Sequence, residues 1–358
     1  MSVAPIASTY AQSRQAFLAA ADRSDARVES FVHPLRGPYG EELAIDTATV
    51  GSDHADSVLV VVSGTHGVEG YAGSALQTCW LTTAQPPIPA SVRVVHVHGL
   101  NPYGFAWVRR VNEDNVDLNR NFIDWSQPPV HNQEYDRLAA ILVPKQWDDT
   151  SQAETMSQLL AELERVGMDA LQEAISSGQY QHPTGVFYGG TNPVWSHRWL
   201  KANAEALVGK ARRLGIVDLH TGLGPWGHGE LIIHESSSDP AYHRAKQWWG
   251  TVNSMTDGQS VSAALSGDWL GTTTEIFGDV ETTAAALEFG TVDPITVLQA
   301  LRADAWLHSN GEPEPEAGDR IRAQVRAAFI DDDPAWLEAL AARFSDVVDK
   351  AVAGLANP

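Results

Sequence analysis

The sequence predicts an α/β protein, a three-layer α/β/α sandwich around a mixed, mostly parallel sheet. Three observations carry this expectation. Short β-branched runs, VLVVV at 58–62 foremost, are apolar without alternation, as strands covered on both faces are. Segments with apolar residues at helical spacing follow them, so that strand and helix alternate along the 358 residues. Several runs end in polar turns that carry His or Glu, at the sheet edge where α/β proteins gather ligands.

Composition narrows the class. A chain of 358 residues with 43% hydrophobic residues buries an ample core without staples. With 24 basic against 45 acidic residues, the net charge of -21 argues against nucleic acid or an anionic membrane as partner. The acidic residues are spread through helical segments as solvated faces rather than gathered in a tail. No apolar run approaches the ~20 residues that span a bilayer. The N-terminus lacks a basic leader, and residues 9–22 read as a helix, so a cytoplasmic protein is expected. The single cysteine, Cys79, excludes an intramolecular disulfide or a thiolate metal cluster and is expected as a small buried residue.

In chain order, HPLRGPYG at 33–40 reads as a turn and ELAIDTATV at 42–50 as an alternating antiparallel strand. The buried strand at 58–63 ends in the turn that holds His66 and Glu69. Residues 70–83 form a helix that stops before the prolines of AQPPIPA. SVRVVHVHGL at 91–100 is a strand ending in an Asn-Pro turn, with His96 and His98 on one face in a structural role. Residues 131–212 are mainly helical, broken by QHPTGVFYGGTNPVW, and read as an insertion beside the sheet. LGIVDLHTG, GELIIHES and TTAAALEFGT are strands, the first ending in His220 and the last in Glu288. A helix is expected over DPAYHRAKQWWGTVN, with Trp248 and Trp249 in the core, and three more over 293–310, 316–330 and 334–354. With no repeat and EPEPEAG at 312–318 as the nearest candidate linker, the chain reads as one catalytic domain.

Three strand ends thus present His66 with Glu69, His220, and Glu288. Two imidazoles and a carboxylate are the ligand set of a catalytic zinc with an open position, and a further carboxylate suits the general base of metal-assisted hydrolysis. The segment at 105–125 carries three Arg and four Asn, more than a connecting loop needs. A fixed guanidinium there can stabilise an oxyanion, and a second can clamp a carboxylate. A serine nucleophile at Ser63 is not supported, because the G-x-S-x-G elbow is absent.

HGVEG at 66–70, NPYGFAWVRRVN at 101–112, VDLNRNF at 116–122, DLHTG at 218–222, SGDW at 266–269 and LEFGT at 287–291 stand in the order found in zinc carboxypeptidases. The chain resembles that metallocarboxypeptidase superfamily, and HGVEG and DLHTG also resemble the succinylglutamate desuccinylase and aspartoacylase group. The resemblance implies a zinc carboxypeptidase-like fold and one zinc ion on His66, Glu69 and His220. It implies Glu288 as general base, Arg110 on the scissile carbonyl, and Asn119 with Arg120 on the substrate carboxylate. Asp117 would orient His66, and Asp218 is a local candidate for the same task.

The chain departs from the pattern in one place. Carboxypeptidases carry a tyrosine two positions beyond the Asp-Trp pair, whereas Leu270 and Gly271 follow Asp268 and Trp269 here. This unsettles C-terminal peptide specificity. Phe187, Tyr188, Trp195 and His197 of the insertion are candidates to reshape the cleft, His228 to line it, and residues 271–280 to form its floor. The function expected first is a zinc carboxypeptidase on short peptides, with an N-acyl amino acid deacylase as alternative. A metal-free protein that binds peptides or carboxylates is the reading from another class.

Overall fold

The computed structural model describes residues 4–83, 87–260, 266–310 and 315–357, so the start of EPEPEAG lies outside the described residues. Eight strands form one mixed sheet: β1 Arg27–Arg36, β2 Glu42–Gly51, β3 Ser57–Ser63, β4 Val92–His98, β5 Arg213–Trp226, β6 Gly229–Ile233, β7 Asn253–Ser254 and β8 Glu281–Gly290. Their order is β1-β2-β4-β3-β5-β8-β6-β7. The centre, β4-β3-β5-β8, is parallel, while β1, β2 and β6 pair antiparallel with their inner neighbours.

Burial on both faces explains the β-branched run of β3. Leu59 and Val61 join a core beneath α1 (Tyr10–Arg23), α2 (Gly70–Thr82), α8 (Pro240–Trp249) and α12 (Pro334–Ala356). Val58, Val60 and Val62 join a second core beneath α7 (Trp195–Val208) and α9 (Thr273–Phe277). This is the three-layer arrangement expected. The helix starts follow their caps: Thr9 accepts from Gln12 at α1, and Asp333 precedes a first-turn proline at α12.

The remaining helices are α3 (Pro102–Trp107), α4 (Gln133–Leu142), α5 (Asp149–Val166), α6 (Met168–Ser176), α10 (Pro294–Ser309) and α11 (Pro315–Phe329). Residues 131–212 therefore carry α4 to α7. No helix among the described residues is long and apolar enough to cross a membrane.

Several expectations are corrected. His33 to Arg36 belong to strand β1, not to a turn; β1 is an edge strand with mostly exposed side chains, so burial imposes no hydrophobic pattern on it. A register shift between Val32 and Arg36 accommodates Pro34, which has no N–H for the ladder. Beyond the Asn-Pro turn the chain forms α3, capped by the Asn101 side chain. The helix at 240 ends at Gly250, whose φ of 82° stops it, and Asn253 pairs as strand β7. Cys79 is half-buried rather than buried. Trp249 is in the core as expected, its indole donating to the Val347 carbonyl.

The topology sets where a ligand can sit. From β3 the chain moves outward to β4 and later returns to the other flank of β3 as β5, so the carboxyl ends of β3 and β5 flank a switch point.

Candidate metal centre

His66 and Glu69 follow β3 through a tight turn. Gly64 takes a φ of 69°, and a side chain on Gly67 would run into the Gly104 backbone at 2.1 Å, so only glycine lets this loop lie against α3. The Gly67 and Val68 N–H groups donate to the carbonyls of Arg110 and Arg109, tying the two loops together. His220 lies near the end of the buried stretch of β5, and its register partner on parallel β8 is Glu288.

The ligand atoms converge. His66 Nδ1 lies 2.9 Å from Glu69 Oε1, His220 Nδ1 lies 2.9 Å from Glu69 Oε2, and the two Nδ1 atoms stand 3.1 Å apart. The far side of each ring is held by a carboxylate: His66 Nε2 is 3.2 Å from Asp117 Oδ1, and His220 Nε2 is 2.8 Å from Asp218 Oδ2. With both Nε2–H groups donating, two bare nitrogen lone pairs point at one another across the Glu69 carboxylate. That arrangement demands positive charge between them, either a metal ion or a proton shared with the Glu69 carboxylate. The donor set, two imidazoles and a carboxylate with carboxylate-anchored rings, fits a zinc ion.

The electrostatics agree. Burial works against a charged His220, yet Asp218 and Glu69 hold its pKa well above the ordinary imidazole range. Burial opposes a charged Glu69 too, and the two imidazoles nonetheless keep it below the usual carboxylate range. Asp117 likewise overcomes burial through Arg110 and His66 and is held well below its usual value. Glu288 behaves oppositely: burial, then the negative charge of Glu69, push it up to about 8 in the field of the protein's own groups.

Arg110 Nε donates to Asp117 Oδ2 at 3.0 Å and Nη1 to Glu69 Oε1 at 3.2 Å. Three of its N–H groups stay free at the edge of the cluster. Arg120 is buried; its Nε and Nη2 donate to the Ser176 carbonyl at the end of α6, and Nη1 to the Asn119 carbonyl. Two of its N–H groups remain. The Asn119 side-chain oxygen and the Thr221 hydroxyl are buried without partners, and both residues line the same cavity. Both atoms can pair with a molecule that enters this cavity.

That cavity measures about 330 Å³ and brings together His66, Arg110, Asn119, Arg120, His220 and Glu288. Asp117 and Glu69 stand behind it. Among the insertion candidates, Phe187 lines it, its ring under Arg110 at 5.7 Å and Arg120 at 5.3 Å. Phe187 holds a φ of 54°, a left-handed backbone that is costly for a bulky residue. Tyr188, Trp195 and His197 are not in the lining: the Tyr188 carbonyl accepts from the Asp117 N–H, Trp195 packs on His33, and His197 stacks on Phe122. His228 lies in the turn between β5 and β6, also outside the lining, and His96 and His98 pack under α2 on Trp80 and beside Ser74.

The floor is corrected as well. Residues 271–280 do not line the cavity; Ile276 and Phe277 of α9 pack into the core under α7. Ile232, Met255, Leu270 and Ala286, from the β6–β8 side of the fold, line it instead. Trp269, named only as part of a motif, donates its indole N–H to Asp218 Oδ2 at 2.7 Å, and the Thr65 hydroxyl donates to the same carboxylate. The motif thus steadies the carboxylate that orients His220. The Ser176 carbonyl under Arg120 had no signal in the sequence.

A family model described as a protein of unknown function, DUF2817, matches residues 6–343, and the chain belongs to that family. No curated protein sequence matches. Among solved structures the chain is similar to carboxypeptidase A from Helicoverpa armigera, at 10% identity and a TM-score of 0.46 over 89% of this chain and 73% of that one. It is also similar to the murein-tripeptide amidase of Escherichia coli O157 (16%, TM-score 0.38, 80% and 93%) and to the succinylglutamate desuccinylase of Chromobacterium violaceum (16%, 0.36, 89% and 74%). The carboxypeptidase and the desuccinylase belong to the groups the motifs resemble. At such identities and scores the likenesses carry nothing about the reaction.

Proposed function

We propose that the protein is a zinc-dependent hydrolase of an amide bond adjacent to a free carboxylate, built as one catalytic domain with a helical insertion. The observation that carries this reading is the convergence of two Nδ1 atoms and the Glu69 carboxylate within about 3 Å, with Glu288 in register beside His220. His66, Glu69 and His220 would hold one ion, which supplies Lewis acidity and a water nucleophile at neutral pH. Glu288 would take a proton from the attacking water and pass it to the leaving amine; its raised affinity for a proton suits both transfers. The free N–H groups of Arg110 face the developing oxyanion. The remaining donors of Arg120 and the Asn119 amide hold the substrate carboxylate.

Two substrates fit this site, a short peptide with a free C-terminus and an N-acyl amino acid. No tyrosine stands beyond Asp268 and Trp269 to close over a peptide end, and the cavity is walled by apolar side chains, which favours the N-acyl amino acid. The test is turnover by zinc-loaded protein, with chelator controls, on tripeptides and N-acyl amino acids. Cleavage of an amide next to a carboxylate, abolished by chelation and by Glu288→Gln, is expected. Zinc-loaded wild type that cleaves none of them, or cleaves equally well as Glu288→Gln, would overturn the reading. A protein that takes up no zinc would instead be the metal-free binder of peptides or carboxylates.

A further inference from the structure

Three apolar stripes face the cavity that holds the metal cluster. On α5, Met156, Leu159, Leu160 and Leu163 recur at positions i, i+3, i+4 and i+7, one side of the helix. On α6, Met168, Leu171 and Ile175 stand at i, i+3 and i+7, and on α10 Pro294, Val297, Leu298 and Leu301 follow the fuller pattern, with Ile295 beside them. A stripe of this kind ordinarily packs into the core. Here the outer residues are left open to solvent: Met156 is 39% exposed, Leu160 52%, Met168 58% and Ile295 61%. Large apolar side chains clustered at the mouth of a cavity that ends in a catalytic centre mark a binding surface.

We propose that this chamber binds a linear aliphatic acyl chain, so that the substrate is an N-acyl amino acid carrying a medium or long fatty acyl group. The inference rests on the reading of the site as an amide hydrolase. The carboxylate of such a substrate meets Asn119 and Arg120, its amide carbonyl meets Arg110, and its chain runs out along α5, α6 and α10. The part of the lining formed by Ile232, Met255, Leu270 and Ala286 is left for the amino-acid side chain.

The alternatives fit the walls less well. An acetyl group would leave a cavity of about 330 Å³ mostly wet. A dicarboxylic acyl group needs a second cation, and among the described residues the lining offers Arg110 and Arg120 as guanidinium or ammonium groups, both already assigned. A peptide chain would press amides against the helical walls, where the side-chain amides are Gln172 and Gln299, and Gln299 Oε1 already accepts from Arg302. Peptide groups left unpaired there cost too much; methylenes do not. Met and Leu, flexible and without β-branches, suit a chain that has no fixed shape.

α6 would link the two ends of the substrate, because its apolar stripe lines the chamber while its last carbonyl, Ser176, holds the Arg120 guanidinium.

The test separates binding from turnover. Binding of N-acyl-L-alanines from acetyl to dodecanoyl is measured by calorimetry on zinc-loaded Glu288→Gln, and kcat/KM for the same series on zinc-loaded wild type. Affinity should rise roughly fourfold per methylene while the chain stays inside the chamber. Leu160→Gln and Ile295→Gln, both at exposed positions, should flatten that slope without loss of folded protein by circular dichroism. Affinity independent of acyl length overturns the proposal, and does so even if the wild type cleaves the whole series. A gradient seen only when the amino-acid side chain is lengthened, from alanine to norleucine, also overturns it and assigns the walls to that side chain. A rising affinity without turnover by wild type supports the chamber and contradicts the hydrolase.

Discussion

The metal cluster and the apolar chamber share one cavity and are built on opposite terms. In the cluster the carboxylates are bonded several times over: Asp218 alone accepts from Thr65, Trp269 and His220, and Asp117 engages His66, Arg110 and the Asn119 N–H. Its His66, Glu69, His220 and Glu288 stand at the carboxyl ends of buried central strands. The chamber wall has neither property. Its side chains come from helices outside the sheet and keep their outer surfaces uncovered. The difference teaches that one region is set for a fixed geometry and the other for a variable apolar body. Mutation should separate them: changes in the cluster should alter metal and rate, and changes in the wall should alter substrate choice with little effect on folding.

The largest effect is expected from Glu288, the proposed base. Glu288→Gln should lower kcat by roughly 10²–10⁴-fold or more while zinc stays bound, as read by single-turnover kinetics beside metal analysis. Next comes Asp218→Asn, which leaves the ring of His220 without its anionic partner. Zinc affinity should fall roughly 10- to 100-fold in competition with a chelator. Trp269→Phe, which removes one donor to the same carboxylate but keeps a ring in the core, should move affinity in the same direction by less.

The pH profile sharpens the role of Glu288. A base must be deprotonated, so kcat/KM should rise with pH through the ionisation of this carboxyl and level off above it. The protein's own groups put that ionisation at about 8, and a dication on the neighbouring ligands lowers it by favouring the carboxylate. The acidic limb should therefore lie below 8 in the zinc enzyme, move upward toward 8 if the cation is weakly held, and be absent from the residual activity of Glu288→Gln.

The smallest expected effect contrasts the two regions in stability. Leu59→Ala, in the fully buried centre of β3, should cost about 2–5 kcal/mol in denaturant unfolding. Leu160→Ala on the chamber wall should cost about 0.5 kcal/mol or less.

What could be read in the sequence follows the same division. The buried strands announced themselves because both faces meet a core, and the His and Glu at their ends stood in short local motifs. The pairing of His220 with Glu288 depends on strand register, which those motifs do not encode, although the two residues were each identifiable. Strand β1 escaped because an edge strand needs no hydrophobic pattern. Trp269 and Ser176 escaped because their work is a contact across the fold, an indole to Asp218 and a carbonyl to Arg120. The helices α5 and α6 were legible as helices from their periodicity, but periodicity does not say whether an apolar stripe meets a core or a cavity. The floor was misplaced for a similar reason: the segment 271–280 is adjacent in sequence to Leu270 yet turns into the core under α7.

The central claim is that His66, Glu69 and His220 hold one zinc ion. The direct measurement is metal stoichiometry by mass spectrometry after chelation, zinc reconstitution and removal of excess metal, on wild type and on His220→Ala. One equivalent per chain in the wild type, and loss of that equivalent in the folded variant, is the predicted result. A wild type that retains no zinc, or a variant that retains a full equivalent, would contradict it.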